Sequence, residues 1–502
     1  MGLVLAVDIG TGSCRGALYD PELKCLSSAM VEYPTYYPQP DWAEQDPETI
    51  FSSVMKAMEE TVVKCGRDPE EISALTLDCS VHTLLGLAED KSPVTPILTW
   101  EDSRARVLVR RWKEQDIGSD IYSLTGCPLH PMYSSAKIAW WREQEPDLFQ
   151  KVKTFVSLKA FVLFRLTGEL MEDQATVSGS GLLNISNLDW EDKALAMAGI
   201  SRQQAATVVT PTYIVEGLRP EIYKKTGLSD STRIVVGSSD AAMSSLGSGT
   251  VHSDQMTVMI GTSGAVRRLI DSPTFDSQQR TFCYYLGKRL WFAGGAINNG
   301  GNILRWFRDN FGDRAKQEAE KRGESVYTVL SEYAEKASPG ADGLLFLPFL
   351  AGERSPYWNG NMRGILMGLS LHHGQAHIIR SLMEGVCYRI LSVSGPLDEL
   401  VGSPKEIRVT GGFTHSPLWL QILSDVLGRE LMVTGEPEGS VLGAAAFAYH
   451  TLGVIDSFKA LLDKNPVLKV IHPQPEMYQF YKGEFERYMR TYWKFREEFD
   501  QV

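Results

Sequence analysis

Three short segments carry side chains and glycines suited to moving a phosphoryl group. The first, Asp8-Ile9-Gly10-Thr11-Gly12-Ser13, closes an apolar run that begins at Leu3. Its glycines let the backbone approach phosphates, the Thr11 and Ser13 hydroxyls add donors, and Asp8 can hold a magnesium ion through its water shell. The second, Gly261-Thr262-Ser263-Gly264, follows the apolar residues 256–260 in the same way. Either segment alone is equally well read as a plain hairpin. Together, one in each half of the chain, they are suited to gripping the two ends of a triphosphate from opposite walls of a cleft. The third, Gly237-Ser238-Ser239-Asp240-Ala241-Ala242, sets an acid after an apolar strand and before small residues. Transfer to an alcohol needs such a group to accept the hydroxyl proton as the phosphoryl arrives. A helix-capping Asp is the plain alternative.

A fourth segment, Val409-Thr410-Gly411-Gly412-Phe413 with Ser416 and Trp419 beyond it, places a double glycine at a strand–helix junction. That permits close approach of a flat ligand such as adenine, or of a phosphate; a tight turn is the alternative. Gly300-Gly301-Asn302 and Gly443-Ala444-Ala445 read as weaker examples of the same kind. The dinucleotide fingerprint GxGxxG fails at Gly10-Thr11-Gly12, because the third glycine is misplaced and a strand follows where a helix should start. Neither a P-loop nor a protein-kinase motif set is present.

The elements that must hold these segments follow from periodicity. Strands are predicted at 3–8, 15–20, 72–78, 84–88, 234–237, 256–260 and 265–269, and helices at 47–64, 104–115, 135–144, 302–311, 377–391 and 476–499. Strands interleaved with helices imply α/β layers. Strand, Gly-Thr turn and strand occur at residue 8 and again near 261. That echo reads as a duplicated fold whose junction lies in 241–255, dividing 1–246 from 247–502. On the 302–311 helix, Ile303, Trp306, Phe307 and Phe311 are expected on one packed face. The aromatic stripe from Tyr481 to Phe499 is also read as a packed face rather than a cofactor site.

At 502 residues the chain exceeds what one core supports, so two or more domains are expected. The formal charge of −12 argues against nucleic-acid or anionic-membrane partners, which would be repelled before contact. Seven dispersed cysteines without a CxxC pair fit reduced core thiols. The start carries no basic leader, and no apolar stretch approaches bilayer length, so a cytoplasmic protein is expected.

Asp8–Ser13, Trp42–Pro47, Trp100–Arg104, Ser239-Asp240, Gly261–Gly264, Pro339–Gly343, Gly352-Glu353-Arg354 and Gly411-Gly412 together resemble the FGGY family of carbohydrate kinases. The segments 126–132, 135–140, 282–284 and 298–301 are most similar to its gluconokinase branch, and xylulokinases match them less well. The resemblance implies two ribonuclease H-like domains of the actin/hexokinase superfold with an interdomain cleft. The sugar would sit mainly on 1–246 and ATP mainly on 247–502. It implies phosphate contacts at Thr11, Gly12 and Ser13 with Arg15 beside them. The remaining nucleotide wall would be Gly261, Thr262, Gly301, Arg305, Gly411, Gly412 and Ser416. Asp240 would be the general base, Asp8 and Asp240 would organise Mg2+, and His82 would touch a sugar hydroxyl, with Asp240 also facing the substrate. Gly12 and Arg15 stand where relatives commonly carry Thr and Lys, and Val81 departs from the usual residue at its place.

On this reading the activity is ATP-dependent phosphorylation of a small sugar or sugar acid at a terminal hydroxyl, with gluconate as the leading acceptor and xylulose, glycerol and other polyols behind it. An actin- or chaperone-like ATPase without sugar transfer is the reading from another class. A homodimer is left open. His130 and Lys137 are read as either carboxylate-binding cations or structural groups. Asp102 and Arg104 are expected to pair and lock the substrate side, and Trp42–Asp46 to fix a loop.

Overall fold

Leu3–Ile9 is an almost uninterrupted apolar strand, as suits a strand covered on both faces. In the computed structural model, which describes residues 2–435 and 439–499, it lies inside a six-stranded sheet. The order is Ile214–Val215, Arg233–Val235, Ile72–Cys79, Leu3–Ile9, Ser13–Tyr19, Cys25–Glu32. Leu3–Ile9 pairs antiparallel with Ser13–Tyr19 and parallel with Ile72–Cys79. A seven-stranded sheet repeats the plan. Gln255–Ile260 pairs antiparallel with Gly264–Ile270 and parallel with Glu406–Thr410, which is parallel in turn to Leu431–Thr434. Each lobe therefore has its first strand central, a meander on one side and parallel strands on the other. This is the ribonuclease H-like duplication of the actin/hexokinase superfold.

Helices cover both sheets. Pro47–Cys65 buries Ile50, Phe51, Val54 and Met58 against the first sheet, is capped by Asp46, and ends at Gly66 in the left-handed region. Gln375–Val401 runs ten residues past its predicted end, through Pro396, because its apolar face stays buried beyond Leu391. Pro475–Phe499 buries Tyr481, Tyr488, Tyr492 and Phe499, so the aromatic stripe packs. Its Tyr481 hydroxyl donates to Glu384 (2.9 Å), which also pairs with Arg380 (2.9 Å).

Two expectations change. On Asn302–Phe311 the buried face is Ile303, Leu304 and Phe307, whereas Trp306 and Phe311 are exposed and stack edge-on at 5.3 Å. Leu304 takes the inner position that the predicted face gave to Trp306. Gly443-Ala444-Ala445 is no turn. It lies inside the helix Gly439–Thr451, which crosses Asp240–Gly247 so closely that a Cβ on Gly443 would run into the Met243 carbonyl. Val441, Leu442 and Ala444–Ala448 of that helix share one core with Val4, Ala6 and Ala17 of the first sheet. Small residues here join the lobes. Among the described residues no helix is long and apolar enough to cross a membrane.

Candidate active site

The two Gly-Thr turns are closed alike. Gly10 N–H donates to Ser13 O at 3.0 Å, and Gly261 N–H to Ser263 O at 2.9 Å. The first turn is braced from three sides: Tyr33 Oη–H donates to Gly10 O (2.5 Å), Gln45 Nε2 to Thr11 O (2.5 Å), and Trp100 Nε1 to Thr11 Oγ1 (2.8 Å). Gly12 at its tip is exposed, and Ser13 opens the return strand. Arg15 stands opposite Asp8 across the ladder, with Nη2 3.5 Å from Met30 Sδ.

Gly261, Thr262, Gly301, Arg305, Gly412 and Ser416 line a single pocket of about 750 Å3, with Tyr327, Met383, Phe413 and Trp419 as its apolar surface. Flat apolar walls and a few convergent polar groups suit a purine nucleotide. Gly301 N–H donates to Gly261 O (2.7 Å), and Arg305 Nη2 to Thr262 Oγ1 (2.9 Å). Gly411 stays outside the lining. Its φ of 103° and the closeness of Ile260 O admit only glycine, and the turn it makes presents Gly412 to the pocket. Ser416 caps Pro417–Leu427 and meets Ser331 Oγ at 2.6 Å.

A second cavity, about 500 Å3, opens between the lobes. Trp42, Trp100 and His130 come from the first lobe and Asn298, Arg354 and Arg363 from the second, while Thr262 lines both this cavity and the nucleotide-sized pocket. Behind it Arg104 pairs with Asp102 (2.8 Å) and Glu44 (2.6 Å) and lies 3.8 Å over the Trp42 ring, which locks this wall. His82 is set apart. It is buried, φ 65°, with Nδ1 2.6 Å from Gly179 O, and it lines a separate void of about 20 Å3. Burial pushes its pKa down to about 3, so the ring is neutral. Lys137 is fully buried and donates to His82 O (2.8 Å) and Thr99 O (2.6 Å), so of its two readings the structural one holds.

Three carboxyls gather at the sheet ends. Asp8 and Asp78 are direct partners in the parallel register. Asp240 begins the helix Asp240–Gly247, but the cap is Ser239, whose Oγ accepts Ala242 N–H, so Asp240 is not the capping residue. Its Oδ1 accepts Ala241 N–H at 2.7 Å. Burial, and then the charge of Asp8, push the Asp240 carboxyl up to about 7, while Arg267 of the other lobe draws it down. A carboxyl held there can take a proton near neutral pH. Asp8 Oδ2 accepts from Ser440 Oγ (2.6 Å), and Asp8 Oδ1 is buried without a partner. Oxygens of this kind fit a hydrated Mg2+, which needs one or two carboxylates beside water and phosphate. Among the described residues no group of three or more metal-binding side chains is arranged as a metal cluster.

Asp78, Arg267 and Ser440 escaped the sequence reading. Asp78 ends its strand as Asp8 does, and Arg267 is charged within an apolar strand; either signal could have been taken up. Ser440 gave none, since its contact with Asp8 spans nearly the whole chain.

Two duplicated lobes, a nucleotide-sized pocket, and an adjoining cavity beside a buried carboxyl define a phosphotransferase of the actin/hexokinase type. Residues 3–247 match the N-terminal domain, and residues 256–452 the C-terminal domain, of the FGGY family of carbohydrate kinases. The chain belongs to that family and is a sugar kinase using ATP as phosphoryl donor. It is 37% identical over 462 residues to the gluconokinase of Bacillus subtilis (strain 168), covering 92% of this chain and 90% of that one. It superposes on gluconate kinase from Lactobacillus acidophilus with TM-score 0.92 and 29% identity, covering 100% and 99% of the two chains. For the ligand-bound xylulose kinase of the same organism the TM-score is 0.93, with 29% identity and full coverage of both.

Proposed function

We propose that this enzyme phosphorylates gluconate at its terminal hydroxyl, giving 6-phosphogluconate and ADP. The observation that carries the acceptor is the 37% identity to a gluconokinase over nine-tenths of that protein. ATP would lie in the pocket from Gly261 to Trp419, with its triphosphate passing Thr262 toward Thr11, Gly12 and Ser13. The acceptor would lie in the interlobe cavity that shares Thr262. Its hydroxyl oxygen attacks the γ-phosphorus, the bond to the β–γ bridging oxygen breaks, ADP departs, and the hydroxyl proton passes to Asp240. Arg267, facing Asp240 from the other lobe, is placed to offset charge on the moving group. Asp8 and Asp240 would hold Mg2+, which when bound neutralises the β- and γ-phosphates. We assign the substrate side to 1–246 and the nucleotide side to 247–502. Among the described residues the cysteines form no disulfide, which supports a cytoplasmic setting.

A coupled ADP-release assay across gluconate, xylulose, ribulose and glycerol tests this. Gluconate should give the highest kcat/KM, with phosphorus NMR placing the phosphate on the terminal carbon. The equal likeness to a xylulose kinase structure favours xylulose as the second reading. A silent gluconate beside an active ketose would establish it, and rapid ATP hydrolysis without any sugar would favour an ATPase instead.

A further inference from the structure

One end of the interlobe cavity carries donors that phosphoryl transfer does not use. Arg354, only 7% exposed, has Nε buried without a partner, while its Nη2 donates to Ile297 O at 3.1 Å. His130, 6% exposed, lines the same cavity. Its Nδ1 accepts Met132 N–H (3.3 Å), and burial holds the ring neutral, so the ring proton sits on Nε2, which is also buried and unpartnered. His130 packs edge-on against Trp358 at 5.7 Å, which holds its ring in place. Trp358 holds this place at φ 50°, a strained backbone for a bulky residue.

The charge balance points the same way. Glu353, beside Arg354 in the chain, is fully buried and paired with Arg389 (3.1 Å). Of the other acids lining the cavity, Asp41 pairs with Arg106 (3.1 Å) and Asp102 with Arg104 (2.8 Å), while Glu101 accepts from the neutral Tyr37 hydroxyl (2.7 Å). The charges of Glu353 and Glu101 reach Arg354 without a direct ion pair among the described residues, and its guanidinium lies 4.6 Å over the Trp100 ring. A buried donor left unpaired is destabilising until an acceptor arrives.

We propose that Arg354, with His130 Nε2–H beside it, is the carboxylate-reading end of the substrate cavity, which makes a sugar acid preferred over its uncharged counterpart. This rests on the sugar-kinase reading above and adds how an acid is chosen. A carboxylate offers acceptors for both donors and a charge for the guanidinium, which an amide or hydroxymethyl group does not.

The test compares gluconate with gluconamide, the same skeleton without charge. The wild type should favour gluconate in kcat/KM, and Arg354→Gln should shrink that preference about 10- to 100-fold. His130→Phe should shrink it by a smaller factor, and His130→Gln, which keeps an N–H donor, should restore part of it. Equal losses on both acceptors in Arg354→Gln, or a wild type that does not discriminate, would overturn the proposal. Should Arg354→Gln fail to fold, the His130 pair and the wild-type ratio decide. A wild type that phosphorylates xylulose but not gluconate refutes the proposed function separately. Calorimetric binding of gluconate against gluconamide then judges this inference, and equal or absent binding overturns it.

Discussion

Trp100 donates its indole N–H to Thr11 Oγ1 at 2.8 Å while the same ring supports the Arg354 guanidinium at 4.6 Å. One side chain thus links the tip of the first phosphate-type loop to a residue of the opposite lobe. Trp100→Phe keeps an aromatic face but removes the donor along with part of the ring. It should lower kcat/KM for ATP about 3- to 10-fold, the worth of one hydrogen bond, with little change in melting temperature. Steady-state kinetics with gluconate held saturating check this.

Asp240 works as a base only when ionised, and burial with Asp8 raises its carboxyl to about 7. Below that pH the proton is already present. The value of kcat/KM should therefore climb about tenfold per pH unit up to roughly 7 and level above it. Arg267→Gln removes the group that draws the carboxyl down, so its profile should turn at higher pH. A wild-type profile flat from pH 5.5 to 8 would contradict the assignment.

Asp78 is fully buried beside Asp8, with which it can share a hydrogen bond only while protonated, and burial followed by Asp8 lifts its pKa well above the ordinary carboxylate range. Its folded pKa exceeds the unfolded one, so its stabilising share is complete below about pH 4 and is lost as pH rises toward the folded value. The slope is up to about 1.4 kcal/mol per pH unit for one such group. Asp78→Asn should melt higher than the wild type at pH 8 and show a flatter melting profile from pH 5 to 8. Some slope should remain, because Glu172, raised to about 8 by burial, behaves alike. Parallel profiles would count against a strained Asp78.

Gly443 lies where a Cβ would strike the Met243 carbonyl, at the crossing that joins the lobes. Gly443→Ala should cost about 1–3 kcal/mol of stability through overpacking, despite the better helix propensity of alanine. Thermal or urea unfolding reads this directly. Unchanged stability would mean that the crossing yields.

Local patterns were legible wherever the physics is local. The helix Pro47–Cys65, the apolar strands, and the two Gly-Thr turns all follow from spacing that neighbours enforce. Six of the seven residues expected around the nucleotide in the second lobe line one pocket, because Gly261, Thr262 and Gly412 follow strand ends while Gly301, Arg305 and Ser416 sit at the starts of helices. What depended on distant chain segments was harder to read. His82 follows a strand, and the partner that orients its ring, Gly179, comes from far along the chain. Gly443-Ala444-Ala445 imitates a turn because small residues serve a helix crossing as well as a ligand. The pairing of Asp78 with Asp8, unlike its place near a strand end, became visible only through the strand register.

The central claim is that Asp240 accepts the proton in phosphoryl transfer at a site whose nucleotide pocket stands independently of it. Turnover of gluconate and calorimetric ATP binding should be measured on the same Asp240→Asn protein. The account predicts ATP affinity within about threefold of wild type and a kcat lowered by about 10²- to 10⁴-fold. Near-normal turnover in that variant would contradict it.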